Sequence, residues 1–282
     1  MKKSLKRRAI LIGGGLTLFI GFALFLFFDA FYGSNFRTMQ DTISSTQQVN
    51  LRGLRELQAS GGTSVRFSDL KRRLKHTNGP KIIVDGMSEF HGYINGIPTT
   101  FFAYHKEPTL KHIIRRWIFT RTTGIHPEFV TPEEEEAANH GFEYKKVNIG
   151  STFISDDEDI DKIITFYDNL PPNAWLHFHC AHGKGRTSIL LVMLDILKNA
   201  PMVTVKDIVK RQHLLGSENL FNTEVWKNGT YDKEKLDHRK KFIEEFYKFV
   251  CQRKARGIQC WSDWRHQQRA EKLNNSSLGK GG

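Results

Sequence analysis

Residues 9–28, AILIGGGLTLFIGFALFLFF, form an apolar run without one charged side chain. At a rise of about 1.5 Å per residue, the run is as long as the roughly 30 Å hydrocarbon layer of a bilayer. Residues 1–8 before it carry five basic side chains and no acidic one, which predicts a signal-anchor with a cytoplasmic N-terminus. The alternative is a signal peptide whose cleavage leaves a secreted protein, but the following residues lack a small-x-small cleavage pattern.

Beyond this run, apolar segments of strand length alternate with segments of helix length. Residues 81–87 (KIIVDGM), 142–149 (FEYKKVNI) and 174–180 (AWLHFHC) predict strands. Residues 157–171 (DEDIDKIITFYDNLP) predict an amphipathic helix, and 186–199 (RTSILLVMLDILKN) predict a buried one. This order is typical of an α/β fold with a parallel central sheet, right-handed crossovers and flanking helices.

Three further segments have local signals. Residues 51–62 (LRGLRELQASGG) predict a short helix that ends at glycines, and residues 131–141 (TPEEEEAANHG) predict an acidic helix. Residues 89–104 (EFHGYINGIPTTFFAY) predict a hairpin at their Asn-Gly pair. The globular domain is expected over 34–264, and 265–282 are expected to be a disordered tail.

The chain has a formal net charge of +12, which favours anionic partners. It has no nucleic-acid-binding motif or zinc-ligand spacing, so we expect no nucleic-acid partner, no metal and no cofactor. Its three cysteines are too few for a disulfide scaffold. Cys251 and Cys260 are either a disulfide pair or two free thiols.

The stretch HFHCAHGKGRTS, residues 177–188, joins the predicted buried strand to the buried helix. Its glycines allow close backbone approach, and amides that converge at a helix N-terminus form an anion site. A cysteine there has a favoured thiolate, and an arginine can bind two equatorial phosphate oxygens. Cys180 and Arg186 therefore predict phosphoryl transfer through a phosphocysteine. A buried cysteine beside a helix-capping arginine is the purely structural alternative.

These residues resemble the signature of cysteine phosphatases of the protein-tyrosine-phosphatase superfamily. Segments such as NFRT, VDGMSEFHGYINGI, LPPNAWLHFHC and VKDIVKRQHLLG resemble its bacterial phytase-like branch, the inositol polyphosphate phosphatases. The resemblance covers roughly residues 34–264. It implies a protein-tyrosine-phosphatase-like sheet with flanking helices, behind the single N-terminal transmembrane helix.

The resemblance also implies roles for individual residues. His179 would orient the cysteine, and Thr187 would assist release of the thiolate. The phosphate-binding loop would consist of Ala181, His182, Gly183, Lys184 and Gly185. Its cationic His182 and Lys184 suit a substrate with several phosphates. Arg37, in the NFRT segment, is a candidate for substrate binding.

The family's general acid, an aspartate about thirty residues before the cysteine, is not matched. Ser151 and Thr152 occupy the expected positions, and serine cannot act as a carboxylic acid near neutral pH. Asp156 and Asp157 are alternative acids, but they also fit the start of the following helix. Six other basic residues are interpreted as solvated surface charges, with a position at the rim of the substrate pocket as the alternative. They are Lys71, Arg72, Lys106, Lys233, Lys235 and Arg239. His91 serves either the site or a turn.

The predicted activity is hydrolysis of phosphate monoesters on inositol polyphosphates of the phytate kind or on phosphoinositide headgroups. The alternatives are a protein-tyrosine phosphatase and a polyphosphate-binding protein that turns over poorly because it lacks the acid. An aryl phosphate has a good leaving group that needs no general acid. Its hydrolysis would therefore distinguish an enzyme that lacks the acid from a protein that only binds polyphosphate.

Overall fold

A computed structural model describes residues 2–32, 35–44, 48–150, 156–225, 231–257 and 260–278. The helices are α1 (Lys2–Tyr32), α2 (Phe67–Arg73), α3 (Leu110–Thr120), α4 (Glu133–Asn139), α5 (Asp157–Asp168), α6 (Gly185–Asn199), α7 (Val205–Leu214), α8 (Lys233–Arg256) and α9 (Trp261–Leu278). The strands are β1 (Arg37–Thr38), β2 (Ala59–Thr63), β3 (Lys81–Asp85), β4 (Tyr93–Ile94), β5 (Ile97–Pro98), β6 (Glu143–Lys146) and β7 (Trp175–Cys180). Short 3₁₀ turns cover Thr99–Phe102 and Pro127–Phe129.

The main sheet has the strand order β1-β2-β7-β3-β6. β7 lies in the middle, parallel to β2 and β3, and β3 is parallel to β6, while β1 is antiparallel to β2. All six residues of β7 are buried. The predicted α/β fold with a mainly parallel central sheet and flanking helices is confirmed. Cys180 is thereby placed at the carboxyl end of the central strand, where α/β sheets carry their ligand sites.

Helix α6 packs against this sheet and forms the centre of the main core. It is buried from Arg186 to Leu197, which explains its nearly continuous apolar sequence. Helices α8 and α9 pack together through aromatic side chains. The rings of Phe246 and Phe249 on α8 lie 5.9 and 5.6 Å from the Trp261 ring on α9.

The hairpin prediction is confirmed by β4 and β5, which pair antiparallel around Asn95 and Gly96, both with positive φ. The helix predicted over 51–62 is wrong, because the chain forms turns there and then enters β2 at Ala59. The small residues of β2 allow α6 to approach closely. A Cβ added to Gly61 would lie 2.7 Å from Cγ2 of Thr187.

The first and last described segments, α1 and α9, are helical. Within α1, Ile10–Phe27 has a mean hydropathy of 2.4 with 6% of the window buried, so it is long and apolar enough to cross a membrane. A signal sequence has the same properties. At the other end, α9 continues to Leu278, so the expectation of a disordered tail from residue 265 is wrong up to that point. Arg265 and Arg269 contact Asp157 of α5, which ties this helix to the domain.

Candidate active site

The loop of residues 181–184 connects the end of β7 to the first turn of α6. Gly183 has φ +65°, and a Cβ on it would lie 2.2 Å from the carbonyl carbon of Gly62. Only glycine therefore fits this position without moving β2. Because α6 begins at Gly185, its positive N-terminal end faces the loop.

The Cys180 thiol lies at the base of this loop and is 3% exposed. The Thr187 hydroxyl donates a hydrogen bond to Sγ over 3.2 Å. Burial alone would raise the pKa of Cys180, but the Thr187 hydroxyl, the Arg186 charge and loop backbone amides together lower it below its ordinary value. The site therefore favours a thiolate, the nucleophilic form of the side chain.

The Arg186 guanidinium is oriented by a carboxylate that the sequence analysis did not single out. Nη1 and Nη2 donate to the two carboxylate oxygens of Glu89 over 2.7 and 2.8 Å. This is the bidentate geometry in which arginine binds planar anions most firmly. The Arg186 side chain is 8% exposed in this pair and that of Glu89 30%.

A cluster of four buried ionisable side chains lies behind β7; we call Asp85, His91, Glu133 and His179 the buried quartet. His91 Nε2 lies 2.9 Å from an Asp85 carboxylate oxygen and 3.0 Å from one of Glu133. His179 Nε2 lies 3.1 Å from the other Glu133 oxygen. Tyr144 also donates a hydrogen bond to Asp85 over 2.7 Å.

The quartet balances two carboxylates against two imidazoles. Burial works against charge on His91, yet its contacts with Asp85 and Glu133 raise the pKa of His91 to about 10. The pKa of His179 is also raised, by Glu133 and Asp85, and against the effect of burial. Ligand atoms of Asp85, His91 and Glu133 lie close enough to hold a cation. Both shifts favour the imidazolium forms, whose charges balance those of the two carboxylates.

Two residues near the start of the domain support the loop from one side. Arg37 is 2% exposed, and its guanidinium donates to the carbonyl oxygens of Gly183 and Asn35 over 2.8 Å each. It also donates to the hydroxyls of Ser188 and Ser217. The expectation that Arg37 lines the substrate pocket is therefore not met, because its donors are turned to the loop backbone and to α6. Asn35 Nδ2 donates to the carbonyl of His182 over 2.8 Å.

The outer side of the loop carries His182 and Lys184, both exposed. Burial and the positive charges of Lys106 and Arg186 lower the pKa of His182, so the positive charge here comes from Lys184. The His105 ring lies 5.9 Å from the His182 ring, and burial with nearby positive charge lowers the pKa of His105 to about 4. The Tyr231 hydroxyl approaches Gly185 closely from the opposite side. A Cβ added to Gly185 would lie 3.0 Å from this hydroxyl oxygen.

The remaining predicted residues lie elsewhere or are engaged with other partners. Asp156 is the N-cap residue of α5, and Asp157 accepts hydrogen bonds from the Trp261 indole and from Arg269. Ser151 and Thr152 lie outside the described residues. The other basic candidates are engaged with partners of their own. Three form ion pairs: Arg72 with Asp69, Lys233 with Asp237 and Lys235 with Asp232. Lys71 donates to a backbone carbonyl, and the buried Arg239 donates to the carbonyls of Asn219 and Asn222. Cys251 and Cys260 are free thiols.

Comparison with known proteins agrees with this geometry. The family described as PTP-like phytase, inositol hexakisphosphate, matches residues 98–198. The uncharacterized protein AvrBs1.1 of Xanthomonas campestris pv. campestris is 34% identical over 89 residues, which are 32% of this chain and 86% of that protein. The chain belongs to the PTP-like phytase family.

Solved structures of this family share the fold. The PTP-like myo-inositol phosphatase from Mitsuokella multacida, in complex with myo-inositol-(1,3,4,5)-tetrakisphosphate, superposes with a TM-score of 0.63 at 25% identity. The match covers 83% of this chain and 46% of that one, so the chain spans about half of that protein's length. A PTP-like phytase from Bdellovibrio bacteriovorus has a TM-score of 0.59 at 24% identity, with 82% and 89% coverage.

Proposed function

We propose that the chain is a cysteine-dependent phosphomonoesterase for inositol polyphosphates or phosphoinositide headgroups, within a domain of residues 34–264. The observation that carries the proposal is the Cys180 thiol at 3.2 Å from the Thr187 hydroxyl, beneath a loop at the N-terminus of α6. A thiolate is stabilised there, and a phosphate dianion would meet the loop amides and Arg186 at the same point.

In the first step, the Cys180 thiolate attacks phosphorus in line with the leaving oxygen. A P–S bond forms, the P–O bond to the substrate breaks, and the leaving oxygen takes a proton, in the simplest case from water. Arg186 stabilises the equatorial oxygens as charge develops on them. Its bidentate contact with Glu89 holds the guanidinium between turnovers.

In the second step, water attacks the phosphocysteine. A P–O bond forms, the P–S bond breaks, and the thiolate leaves while the Thr187 hydroxyl donates to it. The products are inorganic phosphate and the free Cys180 thiolate. Because Asp157 bonds to Trp261 and Arg269 of α9, it is not a suitable proton donor for either step. We therefore expect turnover to fall as the leaving group becomes more basic.

The surroundings of the loop support a substrate with several phosphates. Lys184 adds positive charge on its outer side, next to His182, an exposed imidazole whose pKa is lowered by burial and nearby cations. A cavity of about 490 Å³ next to Met87, which packs with Cys180, is lined by Lys145, Lys146 and by Lys162, which pairs with Asp159 in the same lining. The related Mitsuokella multacida phosphatase binds an inositol tetrakisphosphate. We also propose that α1 is retained as a membrane anchor with its N-terminus in the cytoplasm.

The nucleophile is tested by Cys180→Ser. We expect loss of phosphate release from both an aryl phosphate and an inositol polyphosphate by at least about a thousandfold, because serine is not ionised in this site. Binding of the polyphosphate, measured by calorimetry, should be kept. The matched control Cys251→Ser, at a half-buried thiol on α8, should retain wild-type turnover. Activity of C180S within tenfold of wild type would refute the proposed mechanism.

A further inference from the structure

The chain that leaves α1 is bonded directly to the phosphate-binding loop. Asn35 is only three residues beyond Tyr32, the last residue of α1, and its amide donates to the carbonyl of His182 over 2.8 Å. Three peptide steps span at most about 11 Å. The Asn35 backbone therefore lies within that reach of the end of α1, and the loop is one side-chain hydrogen bond further away.

A second set of contacts holds the same end of α1 against α3. Arg115 Nε donates to the carbonyl of Leu26 over 2.6 Å, and Leu26 is 2% exposed. The Phe27 ring lies 5.9 Å from the Phe119 ring and 6.5 Å from the Phe101 ring. Phe27 is the last residue of the apolar window of α1. Its contacts therefore place α3 beside the end of that window.

The outer face of α3 is apolar and cationic. Leu110 and Trp117 are seven residues apart, so they share one face of the helix, and they are 72% and 56% exposed. Lys111 Nζ lies 5.2 Å from the ring of Phe25 in α1. Of the basic residues in 105–121, Lys106 and Arg121 are exposed and Lys111 is half-buried, whereas Arg115 and Arg116 are buried. Exposed tryptophan and leucine beside basic side chains are typical of helices that lie in a membrane interface.

The segment that leads into α3 also touches the active site. His105 lies five residues before the start of α3, and its ring is 5.9 Å from the ring of His182. Thus α1, α3 and the phosphate-binding loop meet in one region of the molecule. Phe27 and Tyr32 are separated by about 7.5 Å of helix, so the loop lies within about 25 Å of the end of the apolar window once the Asn35 side chain and its hydrogen bond are included.

We infer that α3 lies on the surface of the bilayer that α1 enters, and that the phosphate-binding loop acts on phosphorylated headgroups of lipids in that same bilayer. This inference rests on the proposed function and selects the lipid over the soluble substrate. A headgroup in the bilayer is concentrated next to Cys180 and Arg186 by the anchor itself, whereas a dissolved inositol phosphate gains nothing from it.

The test uses the full chain inserted into vesicles of phosphatidylcholine and a phosphatidylinositol bisphosphate. Phosphate release from this lipid is compared with release from its deacylated, water-soluble headgroup at equal bulk concentration. We expect the lipid to be hydrolysed about tenfold faster or more, because it shares the surface with the enzyme. Equal rates on the two substrates would overturn the inference and leave the proposed function standing. Hydrolysis of neither substrate would overturn the proposed function itself.

The role of α3 is tested by the double variant L110D/W117D in the same vesicles. It should lose most of the advantage on the lipid and keep the wild-type rate on the soluble headgroup, which also shows that it is folded. The control Met202→Asp changes an apolar residue that is 59% exposed after α6 and should affect neither rate. An independent readout is quenching of tryptophan fluorescence by brominated acyl chains. Part of this quenching should be absent in the variant Trp117→Phe. Unchanged lipid hydrolysis in L110D/W117D, or no loss of quenching in W117F, would refute the position of α3.

Discussion

At the scale of single residues, the reactivity of the site depends on a few donors around one sulfur atom. Cys180 is almost completely buried, and burial alone disfavours the thiolate. The Thr187 hydroxyl and the charge of Arg186 reverse this effect, so the pKa of Cys180 lies below its ordinary value. Thr187 should therefore matter twice, when the thiolate attacks and when it leaves the phosphocysteine.

Thr187→Ala tests this residue. A hydrogen bond to a charged group contributes about 1.5–3 kcal/mol, so we expect turnover to fall about ten- to a hundredfold. The pKa of Cys180 should rise, because one of the interactions that lower it is lost. The pH dependence of Cys180 alkylation by iodoacetate measures this, and its midpoint should move to higher pH. Thr165→Ala, on the exposed face of α5, is the control. An unchanged alkylation profile in T187A would contradict the assigned role.

At the scale of elements, the buried quartet connects parts of the chain that share no sequence neighbourhood. Asp85 ends β3, Glu133 begins α4, His179 is the penultimate residue of β7, and His91 precedes the hairpin. Removing one member leaves an uncompensated buried charge, which costs about 3–5 kcal/mol. The quartet therefore fixes the end of β7, and with it Cys180, to α4 and β3.

The quartet also predicts how stability depends on pH. The folded-state pKa of His91, about 10, lies above its ordinary value of 6.5, so its contribution is complete below about pH 6.5 and is lost as pH rises through about 10. We expect the free energy of unfolding of the full chain in detergent to fall between pH 7 and pH 10. His91→Gln should be less stable at pH 7 and should show a smaller fall. His266→Gln, exposed on α9, is the control. Parallel pH profiles of wild type and H91Q would contradict this prediction.

At the scale of the whole molecule, α1 does more than precede the domain in sequence. Its last turns contact α3, and the residues that follow it bond to the phosphate-binding loop. If α1 is retained in the membrane, as we propose, these contacts fix the position of the candidate site relative to it. A cleaved signal peptide would leave Arg115 without the Leu26 carbonyl that it contacts.

Retention of α1 is tested by fractionation of cells that express the full chain. We expect the chain to remain with the membrane pellet in high salt and in alkaline carbonate and to be released by detergent, because about twenty apolar residues are buried in the bilayer. Leu18→Arg together with Ile12→Arg should release a large part of the protein, because both positions lie in the apolar window. Leu51→Arg, at an exposed apolar position in the domain, is the control. A mature N-terminus near residue 30, read by mass spectrometry, would show that the anchor prediction is wrong.

The sequence by itself determined the features that depend on neighbouring residues. An uncharged run of twenty residues predicts α1, and a buried strand, a glycine-containing loop and a buried helix in succession predict β7, the loop and α6. Cys180 and Arg186 are six residues apart, so their meeting in one loop follows from local geometry. The helix expected over 51–62 failed because the fit of β2 against α6, rather than local propensity, decides that segment.

The distant residues that complete the candidate site are known only from the folded chain. Glu89 is 97 residues from Arg186, and Arg37 is 146 residues from Gly183. No periodicity or spacing relates such pairs, because the sheet order β2-β7-β3 brings them together only after the chain has crossed over. The inward turn of Arg37, the buried quartet and the contacts of α1 with α3 arise in the same way. A side chain's partners follow from packing over the whole chain, while its chemical capacity is already present in the sequence.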